Sequence, residues 1–110
     1  MRQCEIWYAD LNPVRGSEQK GHRPVVIISG NLLNSYLQVV IACPLTTKIK
    51  GYKGNVIVAP DSLNGISEKS EIMIFHVRSI SKDRLIKRIG SISENQLMEI
   101  KQGLDDILRY

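Results

Sequence analysis

The chain has 110 residues, with 15 Lys and Arg against 11 Asp and Glu for a net charge of +4. That length holds one domain with a single core, residues 1–110, and leaves no room for a second, while the basic balance favours a polyanionic partner without naming it. One Phe, four Tyr and one Trp are too few for an aromatic ladder under successive bases, so nucleic-acid binding must lean on charge and hydrogen bonds.

The N-terminus mixes Arg2, Glu5 and Asp10 with apolar residues and is no secretory signal; residues 6–11 read as a first strand. A polar loop with Gly16 and Gly21 at its ends then runs into an apolar strand over 25–28, and Pro24 holds Arg23 extended at the mouth of that strand. An arginine fixed there can grip a phosphate with two parallel hydrogen bonds. Residues 24–47 carry no charge, but Pro24, Gly30, Asn31, Asn34, Ser35, Gln38 and Pro44 interrupt them, so two core strands, 25–28 and 37–43, fit better than a membrane span. A short helical turn over 31–35 joins the two.

Thr46 follows the second of these strands, where a threonine either closes a turn or turns its hydroxyl toward a phosphate. Lys48, Lys50, Tyr52 and Lys53 form a basic loop with one aromatic, either a solvated hairpin tip or a track for a single strand that stacks one base. Strands over 55–59 and 72–77 follow, with a turn over 61–65 after Pro60 between them. Residues 82–86 suggest a short helix, and Lys82, Arg84, Lys87 and Arg88 read as a charged surface. Ser93 and Gln96 offer a capping box, after which Leu97, Ile100, Leu104, Ile107 and Leu108 share one helical face. Gly103 in that helix costs about 1 kcal/mol relative to alanine, which packing must offset. The expected fold is α+β, mainly β: a small SH3-like barrel of antiparallel strands with a C-terminal amphipathic helix, closed so that no sheet edge is exposed.

RNA can be cut without a metal if its own 2'-hydroxyl attacks the adjacent phosphorus, provided the phosphorane charge is stabilised and protons are moved. Arg23 suits the charge-stabilising role, against the alternative of an arginine paired with Glu18 or Asp10. Glu18 is a general base, a group that holds Arg23, or a solvated loop residue; His22 transfers protons or only packs locally. Cys4 and Cys43 form no metal-binding pattern with His22 and His76 and read as reduced thiols in a cytosolic protein; no metal or cofactor is expected. The spacing of Gly16 and Gly21 suggests a phosphate loop, but His22 and Arg23 replace the Lys and Ser or Thr it needs.

Glu5-Ile6-Trp7-Tyr8-Ala9-Asp10-Leu11-Asn12-Pro13, Gly16-Ser17-Glu18-Gln19, Gly21-His22-Arg23-Pro24-Val25-Val26, Pro44-Leu45-Thr46-Thr47 and Lys50-Gly51-Tyr52 together resemble the MazF/PemK family of toxin ribonucleases across the whole chain. The resemblance implies a homodimer whose loops flank a groove for single-stranded RNA, cut in a sequence-selective way to 2',3'-cyclic phosphate and 5'-hydroxyl ends. It makes Arg23 and Thr46 catalytic, with Thr47 taking the role if the match shifts by one residue, gives Glu18 a catalytic part and leaves His22 in support. RNA contacts then fall to Ser17, Gln19, Lys20, Lys48, Lys50, Tyr52 and Lys53. It further implies a cytoplasmic toxin, inhibited by a cognate antitoxin with an acidic C-terminal segment and DNA-binding in complex with it.

One branch of the family uses an arginine, an aspartate and a histidine where this chain has Met73, Phe75 and Ser17, so that arrangement is not carried over. Cys4 stands where the family commonly has glycine. The rivals are a gyrase poison of the same fold, disfavoured because the chain ends Ile107-Leu108-Arg109-Tyr110 and its one tryptophan is Trp7, and a catalytically silent module that binds RNA or peptide.

Overall fold

Within the uncharged stretch 24–47, Val25–Ile27 and Ala42–Thr46 are buried strand residues. The computed structural model describes residues 1–11 and 21–110. Its elements in order are β1 (Glu5–Asp10), β2 (His22–Ile27), α1 (Asn31–Tyr36), β3 (Val39–Thr46), β4 (Val56–Val58), β5 (Ser70–Ile72), β6 (Arg78–Ser81), β7 (Leu85–Ser91) and α2 (Glu94–Arg109). Every strand pairing is antiparallel. Alternate residues of β1, β2 and β3 feed two separate cores where a single one was expected, because these strands are buried on both faces. Ile6, Val26, Cys43 and Leu45 join Leu97 and Ile100 of α2 in one; Ala9, Val25, Ile27, Val40 and Ala42 join Ile80 and Leu85 in the other.

The sheet runs β4-β5-β3-β2-β1-β7, with β6 also on β3. Among the described residues no pairing joins β4 to β7, so the sheet is not closed, which corrects the expected barrel closure while the antiparallel α+β architecture stands. Near its end β7 is covered by a turn. Asp61 Oδ1 accepts from the N–H groups of Leu63 and Asn64, and Leu63 O accepts from Ser91 N–H at 2.9 Å. Gly65 lies so near that a Cβ there would sit 1.8 Å from the Ile89 carbonyl oxygen. Covering part of an edge in this way limits edge-to-edge association.

The expected strand over 72–77 does not form: only Ile72 belongs to a strand, and a 3-10 turn at Ile74–His76 joins β5 to β6. β5 pairs with Leu45 and Thr46, and β6 pairs with residues 39–42 of the same strand. Pro44 stands at the break: its carbonyl accepts Met73 N–H at 2.8 Å, but it has no N–H to return on that edge. The expected helix over 82–86 is only a 3-10 turn, Lys82–Arg84, before β7 begins at Leu85. Ile86, Lys87 and Arg88 are all exposed, which dilutes the alternating pattern of this strand.

At α2 the capping box forms: Ser93 Oγ accepts Gln96 N–H at 3.1 Å and Gln96 Oε1 accepts Ser93 N–H at 2.9 Å. Leu97, Ile100 and Gly103 are buried. The buried stripe is shorter than the apolar one in the sequence, because Ile107 is exposed and Leu108 is 84% exposed.

Candidate active site

Arg23 lies on β2 and Thr46 at the end of β3, two strands that pair with each other. β1 and β2 pair Ala9 with Arg23, and β2 and β3 pair Val25 with Pro44; continuing the second ladder by two residues sets Arg23 opposite Thr46. The pairing itself ends at Val25–Pro44; by the alternation of side chains along a strand, Arg23 falls on the Val25 side of β2 and Thr46 on the Pro44 side of β3. Thr46 is 7% exposed. Its Oγ1 accepts Lys48 N–H at 3.1 Å, and a hydroxyl that accepts keeps its own proton for donation.

His22 does not share that face. It is paired with Asp10, its Nε2 lies 3.8 Å from Asp10 Oδ1, and its ring stands edge-on to Tyr8 at 6.2 Å. Thr47 is exposed beyond the end of β3 and lines, with Tyr8, Pro24, Ile66, Glu68 and Ile89, an open groove of about 220 Å³. Ser17, Glu18, Gln19 and Lys20 lie outside the described residues. Met73 is buried and Phe75 is exposed.

The basic loop is more than a solvated tip. Lys48, Lys50, Tyr52 and Lys53 are exposed, yet the backbone beneath them wraps a carboxylate that has no exposed surface, that of Glu71. Glu71 Oε1 accepts from Lys50 N–H at 2.8 Å and Gly51 N–H at 3.2 Å. Its Oε2 accepts from Tyr52 N–H at 3.0 Å and Asn55 Nδ2 at 2.9 Å. Burial alone raises the carboxyl, but these four donors together hold it below its usual range. Asn55 also accepts Ile74 N–H at 2.8 Å, tying the loop to the 3-10 turn, and the Tyr52 ring meets Phe75 at 5.5 Å.

Sequence reasoning missed Glu71. The available signal was one acid in the apolar run 70–74, since a charge in a buried strand must be paired or hydrogen-bonded. Among the described residues no group of three or more His, Cys, Asp or Glu side chains has metal-binding geometry, and no helix is long and apolar enough to cross a membrane.

Residues 2–108 match the family described as PemK-like, MazF-like toxin of type II toxin-antitoxin system. The chain is 34% identical over 106 residues to the endoribonuclease MazF of Staphylococcus saprophyticus, covering 96% of this chain and 88% of that one. It is 32% identical to the endoribonuclease MazF9 of Mycobacterium tuberculosis, over 94% and 92% of the two chains. The crystal structure of MazF from Deinococcus radiodurans superposes with a TM-score of 0.86 at 26% identity, covering 100% of this chain and 97% of that one. A mycobacterial endoribonuclease in complex with its cognate antitoxin shares the fold, with a TM-score of 0.81 at 20% identity over 98% and 94% of the chains. With a family match over nearly its whole length and two relatives above 30% identity, the chain belongs to the PemK/MazF-like toxin family of type II toxin-antitoxin systems.

Proposed function

We propose that this chain is the endoribonuclease toxin of a toxin-antitoxin pair, one domain over residues 1–110, cutting single-stranded RNA at selected sequences without a metal. The reading is supported by the positions of Arg23 on β2 and Thr46 on β3, each two residues beyond the paired Val25 and Pro44. The 2'-oxygen attacks the adjacent phosphorus and loses its proton to a base, the bond from phosphorus to the 5'-oxygen breaks, and that oxygen takes up a proton. The products are a 2',3'-cyclic phosphate and a 5'-hydroxyl.

The Arg23 guanidinium stabilises the charge on the phosphorane oxygens. Thr46 donates its hydroxyl to a phosphate oxygen or orients the attacking 2'-oxygen, and Glu18 acts as base or holds Arg23. His22 and Thr47 support from the neighbouring face, while Ser17, Gln19, Lys20 and residues 48–53 bind the RNA. The protein works in the cytoplasm as a homodimer, and its antitoxin inhibits it by laying an acidic segment across the basic loop. The names of the relatives as endoribonucleases, and the antitoxin complex of one fold neighbour, support this reading.

The test is cleavage of a long unstructured RNA in excess EDTA, comparing wild type with Arg23→Ala and mapping both ends of each product. Cutting at few sites with cyclic phosphate ends, lost in the variant, is expected. No cutting by the wild type, or cutting indifferent to Arg23, overturns the assignment in favour of gyrase binding or a silent module.

A further inference from the structure

We propose that Glu71 is a positioning residue for RNA, the buried anion around which the basic loop folds so that its lysines and Tyr52 face the substrate. This rests on the ribonuclease reading. Three successive backbone N–H groups, those of Lys50, Gly51 and Tyr52, converge on one carboxylate. Such a run of amides is an anion-binding nest, and here the chain fills it with its own acid. The side chains of Lys50 and Tyr52, whose amides are so engaged, are exposed to solvent.

The loop is anchored at a single rung of the sheet. Glu71 stands directly across from Thr46 in the ladder between β3 and β5. Thr46 Oγ1 takes the N–H of Lys48, and Glu71 takes the next three amides bar that of Ile49. The backbone of residues 48–52 is thereby held by these two paired residues, Thr46 through Lys48 and Glu71 through residues 50–52.

Charge bookkeeping points the same way. Among the described residues Glu71 makes no ion pair, and neither do Lys48, Lys50 and Lys53. The acid is satisfied by neutral dipoles alone, so the cations are left for an external anion. A loop already held in one shape loses less conformational entropy when it binds. Glu71 therefore contributes to affinity and to the choice of cleavage sequence rather than to the bond-breaking step.

The test uses Glu71→Gln, which keeps the size but faces the amides with an NH2 group, and Glu71→Asp, which keeps the charge on a shorter arm. Steady-state cleavage of an RNA oligonucleotide carrying a mapped site, cleavage-site mapping on long RNA and amide hydrogen exchange are compared at a temperature where circular dichroism shows each variant folded. Glu71→Gln is expected to raise KM about tenfold or more with kcat within about threefold, to loosen site selection and to speed exchange at residues 50–52, with Glu71→Asp in between. Equal loss of kcat and kcat/KM, or unchanged KM, sites and exchange, overturns the proposal. If the wild type cuts no RNA, the ribonuclease reading fails. Faster exchange at residues 50–52 in Glu71→Gln then still establishes the anchoring role, and unchanged exchange removes that too.

Discussion

The bare α-carbon of Gly103 in α2 rests against the backbone of Gly54, so closely that a Cβ on Gly103 would lie 2.2 Å from the Gly54 carbonyl oxygen. Propensity alone makes Gly103→Ala stabilising by about 1 kcal/mol. The contact reverses the sign, because the obstructing atom belongs to backbone and the helix must back away from the loop. Net destabilisation of about 1 to 2 kcal/mol is expected from urea unfolding. A variant at least as stable as wild type would show that helix and loop separate freely.

Cys4 adopts a left-handed backbone, with φ of 79°. Both of its backbone groups are used: its N–H donates to Ile27 O at 2.8 Å and its carbonyl accepts Ile92 N–H at 2.9 Å. The chain is thus pinned in a conformation that costs a side-chain-bearing residue about 1 to 2 kcal/mol, which gives a physical reason for glycine at this place in the family pattern. Part of the relief in Cys4→Gly is returned as unfolded-state entropy, leaving a gain of about 0.5 to 1 kcal/mol. Cys4→Ala keeps the strain and should give no gain. Equal chemical-denaturation midpoints for the two variants would dismiss backbone strain as the cause.

Local signals were the legible ones. The capping box at Ser93 and Gln96, the short helix after Gly30 and the Asp61 turn all form from residues within five positions of each other. The break in the 72–77 run was invisible because its cause, Pro44, sits in another strand. β7 was hidden by its exposed, charged outer residues. The catalytic role of Thr46 came from family resemblance, which also strengthened that of Arg23; their positions two residues beyond the Val25–Pro44 pair are a property of register, which neither strand sequence encodes. Glu71 was missed for the same reason, since its donors lie 16 to 21 positions earlier in the chain.

The basic loop makes a prediction about salt. If Lys48, Lys50 and Lys53 each neutralise one phosphate, replacing all three by alanine should make the log-log dependence of RNA affinity on salt shallower by about 2. Binding is best followed by fluorescence anisotropy in the Arg23→Ala background, where substrate survives. An unchanged slope would place the phosphate contacts on other cations.

Thiol reactivity should separate the two cysteines. Cys43 has no exposed surface, and burial pushes its thiol up to about 12. Burial also raises Cys4, with Glu94 adding to the effect and Lys101 opposing it. The thiolate is the reactive form, so at pH 7.5 a disulfide exchange reagent should modify Cys4 more slowly than an unfolded peptide and Cys43 only after denaturation. Rapid native-state labelling of Cys43 would mean that its core opens.

Acid should erase the advantage of Glu71. Despite burial, which raises its carboxyl, the four loop donors lower it in the folded state, so the unfolded chain binds the proton more readily. The stabilisation is then complete above the unfolded value near 4.3 and is lost as pH falls through the folded one. Glu5 titrates in the same direction: burial raises it, but Arg2 N–H, the Trp7 ring N–H, the N-terminal charge and Arg88 outweigh that. Glu71→Gln has no proton to gain at this site. The stability gap between wild type and Glu71→Gln should therefore be constant from pH 7 to about 5 and shrink at lower pH. Glu5→Gln provides the control, since the Glu71 contribution should persist in its background. A gap that holds constant below pH 4, measured by urea unfolding, would mean that the loop amides do not prefer the charged carboxylate.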